Sequence, residues 1–149
     1  MIDMISFREY CADLMNKVNS DSELKIDGLF LGVREEHLVS KLKDAEGICL
    51  CVSYPDAESG GQPDYEYDLQ QAFFFIVEKV NPGDQTPDEE ISHYSLLQGL
   101  MRKLRENIRD YEGGCFTLIP EESFRIEFEY RIFGGYNGLS MNVKFKDYD

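Results

Sequence analysis

The stretch that decides the fold is residues 65–111, YEYDLQQAFFFIVEKVNPGDQTPDEEISHYSLLQGLMRKLRENIRDY. Its first part, 65–79, has the period of a strand. Tyr65, Tyr67, Leu69, Phe73, Phe75 and Val77 fall on odd positions, while the even positions start acidic at Glu66 and Asp68 and become apolar at Ala72, Phe74 and Ile76. Such a strand is half exposed where it begins and covered on both faces in its middle. Asn81-Pro82-Gly83-Asp84 then turns the chain. Thr86-Pro87-Asp88-Glu89 opens a helix with an N-cap threonine, a proline at the first helical position, and acids where the helix dipole favours them. Ile91, Tyr94, Leu97, Met101, Leu104, Ile108 and Tyr111 keep helical spacing and predict the face that packs, and Gly113-Gly114 supplies the stop. Over about 25 residues this helix is ~37 Å long.

Toward the C-terminus the chain alternates. Phe124, Ile126, Phe128, Tyr130 and Ile132 face one side, Arg125, Glu127, Glu129 and Arg131 the other. Gly134-Gly135-Tyr136-Asn137-Gly138 reads as the turn, and Leu139, Met141, Val143 and Phe145 then alternate with Ser140, Asn142, Lys144 and Lys146. This is a β-hairpin with one wet face. Between helix and hairpin, 115–119 is a short extended piece.

Toward the N-terminus, Phe7, Tyr10, Cys11, Leu14, Met15 and Val18 mark one helical face, and Ser6 with Glu9 fits a capping box, so a helix is expected over about 7–19. Residues 24–33 read as a strand interrupted by Gly28 and Gly32, 34–44 as a short helix, and 48–54 as a strand closed by Pro55. Residues 55–64, with two Pro, two Gly and three turn-forming polar residues, read as an exposed loop. Together these elements predict one α+β domain over 1–149: a mixed, mostly antiparallel sheet, a long helix packed on one face, and a shorter N-terminal helix.

Composition narrows function. In 149 residues, 15 Lys and Arg oppose 29 Asp and Glu for a net charge of −14. That charge argues against nucleic acid or an anionic membrane as a partner, since both repel it at encounter. No apolar run reaches the ~18 residues that span a bilayer, and the N-terminus has no basic segment before an apolar core, which predicts a cytoplasmic protein. Cys11, Cys49, Cys51 and Cys115 form no C-x-x-C pair and read as small core residues.

Chemistry is sparse. His37 and His93 have no nucleophile or ligand at motif spacing, and no C-x-x-C or H-x-x-x-H pair suggests zinc. Asp56, Glu58, Asp64, Glu66 and Asp68 make an acidic stretch without the order of a calcium loop, so a solvated face is expected there. Ser59-Gly60-Gly61 opens no helix and carries no phosphate-binding lysine. No cofactor, metal site or enzymatic activity is therefore expected. Against the acidic background, Arg102, Arg105 and Arg109 form one stripe on the long helix, with Lys103 beside it. This is either a solvated face paired with nearby acids or a docking strip for an acidic protein, another copy included.

The element order from residue 48 onward, with Gly134-Gly135-Tyr136-Asn137-Gly138-Leu139-Ser140-Met141-Asn142-Val143, resembles the small tail-terminator or tail-completion proteins of tailed bacteriophages and their prophage remnants. Segments 34–44 and 55–64 have no counterpart in it. The resemblance implies a structural subunit that forms a ring closing the tail tube or the head–tail junction, with other copies and tail proteins as partners, in the cytoplasm or the virion. Arg102, Arg105 and Arg109 on the helix and Tyr136 and Asn137 in the hairpin are the candidate interaction residues. The alternatives are a small acidic protein-binding or regulatory module, and, as the weakest, an enzyme assisted by a metal at the acidic stretch.

Overall fold

A computed structural model describes residues 1–62, 65–111, 117–119 and 124–147. The elements in chain order are α1 (Met4–Ser20), β1 (Gly28–Gly32), α2 (Glu35–Lys41), β2 (Ile48–Ser53), β3 (Asp56–Gln62), β4 (Tyr65–Lys79), α3 (Pro87–Arg109), β5 (Thr117–Leu118), β6 (Arg125–Ile132) and β7 (Tyr136–Asp147). The fold is α+β. Its sheet has seven strands among the described residues, ordered β1-β2-β4-β7-β5, with β3 on β4 and β6 on β7. Among the described residues the β1–β2 pair is parallel and every other pair antiparallel.

β4 and β7 form the spine, paired from Lys79↔Tyr136 to Asp68↔Asp147. β2 and β3 share the other edge of β4. Val52 faces Phe74 and Asp56 faces Gln71, so β2–β3 advances four residues where β4 advances three, and one extra residue is taken up near Tyr54-Pro55. The bulge bends what is otherwise one strand. Its far half, β3, is exposed and forms a hairpin arm with the first half of β4, whose residues 68–71 are paired with β7 on their other side.

One face of the sheet carries the main core. Leu50, Phe74, Ile76, Leu139, Met141 and Phe145 are buried there beneath Phe7, Cys11 and Leu14 of α1 and Leu97, Met101 and Leu104 of α3. The two helices also touch each other, where the Tyr10 and Tyr111 rings meet edge to face at 4.6 Å. The opposite face carries a smaller cluster, in which Cys49, Cys51, Val77, Phe133 and Tyr136 sit beneath Leu38 and Leu42 of α2 and its exit. β7 thus lies between two apolar layers.

Several expectations are corrected. The anticipated loop at 55–64 is in large part β3. Ser59, Gly60 and Gly61 have poor strand propensity, but the first half of β4 has backbone groups to satisfy, and pairing satisfies them. The first helix starts earlier than 7–19, at Met4, and is capped by Asp3, whose carboxylate accepts from the Ser6 N–H at 2.9 Å; the box at Ser6 and Glu9 is not what starts it. Residues 24–27 are not strand. Instead the Asn19 carboxamide holds Ile26 by two hydrogen bonds, of 2.8 and 2.9 Å, as two backbone groups of a strand would. On α3, Thr86 and Glu89 form the expected reciprocal cap, but Ile91 is 68% exposed and does not belong to the packing face. The hairpin turn lies at residues 133–135, so Tyr136 and Asn137 are strand residues. At Gly138 a Cβ would lie 1.9 Å from the Ile76 carbonyl oxygen, so glycine there permits close approach of β4. The Gly113-Gly114 stop, Cys115, Asp64 and residues 148–149 lie outside the described residues.

A candidate docking edge on helix α3 and strand β6

Helical spacing places Tyr94, Arg102, Arg105 and Arg109 along one flank of α3, beside the buried row of Leu97, Met101, Leu104 and Ile108. That flank looks toward β6. The Tyr94 hydroxyl donates to the Glu129 carbonyl oxygen at 2.8 Å, and its ring meets Phe128 at 5.8 Å. At the other end the Arg109 guanidinium lies 4.9 Å from the centre of the Phe124 ring. The Arg stripe and the start of the hairpin, separate features of the sequence, are therefore one surface.

β6 pairs with β7 and, among the described residues, with nothing else, so its outer N–H and C=O groups are not in a ladder. Phe128 and Tyr130 are 61% and 62% exposed on this edge, although both belong to the alternating apolar set. Ile91 at the start of the α3 flank is exposed as well. Arg102 and Arg109 are exposed, and Arg105 is half-buried with its Nε–H lacking an acceptor. Among the described residues, none of these three guanidinium groups has an acid within 4.0 Å. The bland expectation, a solvated stripe neutralised by its own neighbours, thus finds no ion pairs within those residues. By contrast the acids of β6 are engaged: Glu127 pairs with Arg125 at 2.7 Å, and Glu129 accepts from the Ser140 hydroxyl at 2.8 Å.

Tyr136 and Asn137, the two hairpin candidates, are placed differently. Both are 3% exposed. The Tyr136 hydroxyl donates to the Leu42 carbonyl oxygen at 3.0 Å and ties β7 to the end of α2. Asn137 Oδ1 accepts from the Arg131 N–H at 2.8 Å, beside the irregularity where Arg131 and Phe133 have φ near +53° and +52°. These two residues shape the turn from inside and are withdrawn from any solvent-facing interface. Sequence reasoning misses Phe128, Tyr130 and Ile91, because spacing places the first two with apolar neighbours on one side of the hairpin and Ile91 on the packing face of the helix. Only the width of the layer above them shows that the core ends before it reaches them.

The other chemistry-bearing residues are quiet. His37 accepts the Val33 N–H at Nδ1, 3.0 Å, and His93 pairs with Glu78 at 2.7 Å. Cys49 and Cys51 are buried in the smaller core, and desolvation pushes the Cys49 thiol up to about 11 and Cys51 higher still, so neither is a ready nucleophile at neutral pH. Asp68 and Asp147 face each other across β4 and β7 and both bind the Met1 ammonium group, Asp147 at 2.7 Å. Hydrogen bonding to that ammonium group lowers the Asp68 pKa. Among the described residues no three His, Cys, Asp or Glu side chains come together as a metal site, and no helix is long and apolar enough to cross a membrane.

No protein-family model matches this sequence, and no curated protein matches it. The reading of the site rests on its geometry.

Proposed function

We propose that the protein is a non-enzymatic structural subunit that assembles with other copies of itself through the α3–β6 edge, in the manner of the ring-forming tail-end proteins of phages and prophages. The observation that carries this is a strand edge in no ladder and three arginines with no acid within 4.0 Å, both among the described residues, beside exposed aromatic residues on a chain of net charge −14. An open edge is a template for another strand, and proteins that do not use such an edge commonly blunt it. Aromatic residues and arginines are the side chains that dominate binding energy at interfaces. A head-to-tail contact between different patches closes into a ring when its rotation permits. The acidity of the remaining surface fits a ring that passes DNA, because phosphates do not adhere to it. It also opposes assembly, so association should strengthen as salt screens the long-range repulsion.

Sedimentation across protein concentration and salt tests the reading, with Arg102, Arg105 and Arg109 changed to glutamate as the comparison. Concentration-dependent oligomers, weakened in the glutamate variant, are expected. A wild type that stays monomeric at millimolar concentration at every salt level, and that binds no tail-tube preparation, overturns the ring subunit and leaves the acidic binding module.

A further inference from the structure

β3 pairs the Tyr65–Gln71 half of β4 and β6 pairs the Tyr136–Asn142 half of β7, so two edges that are in no ladder among the described residues lie on opposite sides and at opposite ends of the β4–β7 spine. We propose that β3 of one copy adds to the β6 edge of the next, carrying the arm's acids against the neighbour's arginine flank. This rests on the assembly reading above and names the surface that the α3–β6 edge receives.

Register decides which side chains would meet. Ala57 faces Gln70, Ser59 faces Asp68 and Gly61 faces Glu66. These pairs continue the face on which Ala72, Phe74 and Ile76 are buried under the helices. The helix-side face of β3 is therefore made of small residues, Ala57, Ser59 and Gly61. Behind it stand the acids of β4, Glu66 and Asp68. On β6 the helix-side residues are Ile126 and Phe128, opposite Met141 and Leu139. A large-residue edge beside a small-residue strand lets Phe128 and Tyr130 lie over the newcomer instead of colliding with it. With strands about 4.8 Å apart, the neighbour's Glu66 lies two strand spacings beyond β6, on the same face of the sheet as the exposed Arg102 and Arg109. The Arg105 Nε–H without an acceptor sits on that same flank.

The edge on β1 fits less well. Arg8 and Lys41 stand beside it, so it would set cations against the arginine flank, whereas the arm brings Glu66 on its helix-side face. On the far side of the sheet Asp56 and Glu58 would face the β6 acids, of which Glu127 is paired with Arg125.

Two charge-reversed proteins test the mode. The arm variant is Glu66→Lys, and the helix variant is Arg102→Glu with Arg109→Glu. Alone, each sets like charges where the arm meets the arginine flank and should raise the midpoint concentration of association by about tenfold or more. Mixed in equal amounts, each variant's arm matches the other's helix, and the midpoint should return to within about threefold of wild type. A merely structural defect in either variant does not give that rescue. Circular dichroism checks the fold of each, and the neutral changes to glutamine at the same positions serve if one fails, each then expected to weaken association by about threefold. If the wild type associates but neither variant weakens it, or if the mixture does not recover, the arm-to-β6 mode is overturned and the assembly reading survives. If the wild type does not associate at all, the assembly reading falls and takes this mode with it.

Discussion

β6 and β7 are neighbours with nearly the same alternating pattern, yet they do different work. β7 is paired on both sides and covered on both faces: Met141 and Leu139 are buried under α1 and α3, and Tyr136 is buried under α2. Among the described residues β6 is paired on one side, and its Phe128 and Tyr130 are exposed. Alternation thus reports which side chains share a face but not whether anything covers that face. An apolar side chain on β7 holds the fold together, whereas the same kind of side chain on β6 is available to a partner.

The comparison is most sharply tested by placing a charge on each strand. Met141→Asp, and likewise Met101→Asp on α3, buries an unpaired carboxylate and should cost about 3–5 kcal/mol. Phe128→Asp should stay within about 0.5 kcal/mol, because its site is wet. Urea unfolding of the three variants reads this directly, and equal losses at Met141 and Phe128 would abolish the distinction between the strands.

A smaller loss is expected at Gly138→Ala, where the added methyl meets the Ile76 carbonyl; overpacking of this kind costs about 1–3 kcal/mol. Gly134→Ala, in the turn, meets no atom within 4 Å but has φ of +83°, so its cost is strain of about 1–2 kcal/mol. Midpoints in the same denaturant separate crowding in the β4–β7 spine from strain in the β6–β7 turn. If Gly138→Ala were neutral, the spine would be looser than its register requires.

Next comes Tyr136→Phe. It removes the hydroxyl bond to Leu42 and should cost about 1 kcal/mol by leaving a buried carbonyl without its donor. Association should be unchanged, since Tyr136 is not on the docking edge. Sedimentation and thermal melting of one sample check both statements, and weakened association with unchanged melting would return Tyr136 to the interface.

The smallest effect vanishes at neutral pH. Burial raises the pKa of Tyr10, and the phenols of Tyr94, Tyr111 and Tyr136 are also raised, desolvation being the largest cause in each. The folded protein therefore keeps these protons to higher pH than the unfolded chain does. The stabilisation is whole below the ordinary tyrosine value of about 10 and is lost as pH rises above it. Tyr10→Phe should flatten the alkaline fall in stability measured by urea midpoints between pH 9 and 11, and an unchanged slope would contradict the burial of that ring.

Much of this was legible because it depends on neighbours in sequence. Thr86, Pro87 and Glu89 announce the start of α3 through backbone groups within one turn, and they form the expected cap. The alternation in 65–79 and 139–145 identifies β4 and β7, since side-chain direction along a strand follows from chain geometry alone. Asp3 was passed over as a cap because Ser6 offered the same chemistry three residues on. Ser59-Gly60-Gly61 read as loop because propensity is local, whereas β3 exists through the demand of β4 for a partner. For the candidate edge, the arginine stripe could be read from spacing. Its pairing with β6, and the burial of Tyr136 and Asn137, could not.

What the sequence determined by itself is therefore the set of elements with strong local signals, the α+β class and the acidic, arginine-striped character of the surface. Each follows from periodicity, capping and charge, which act over a few residues or over the whole composition. Only the tertiary structure decided which strand became the covered spine and which the open edge. That choice is made by long-range pairing and by where α1, α3 and α2 run out of width to cover the sheet, and neither is written in the order of residues along any one strand.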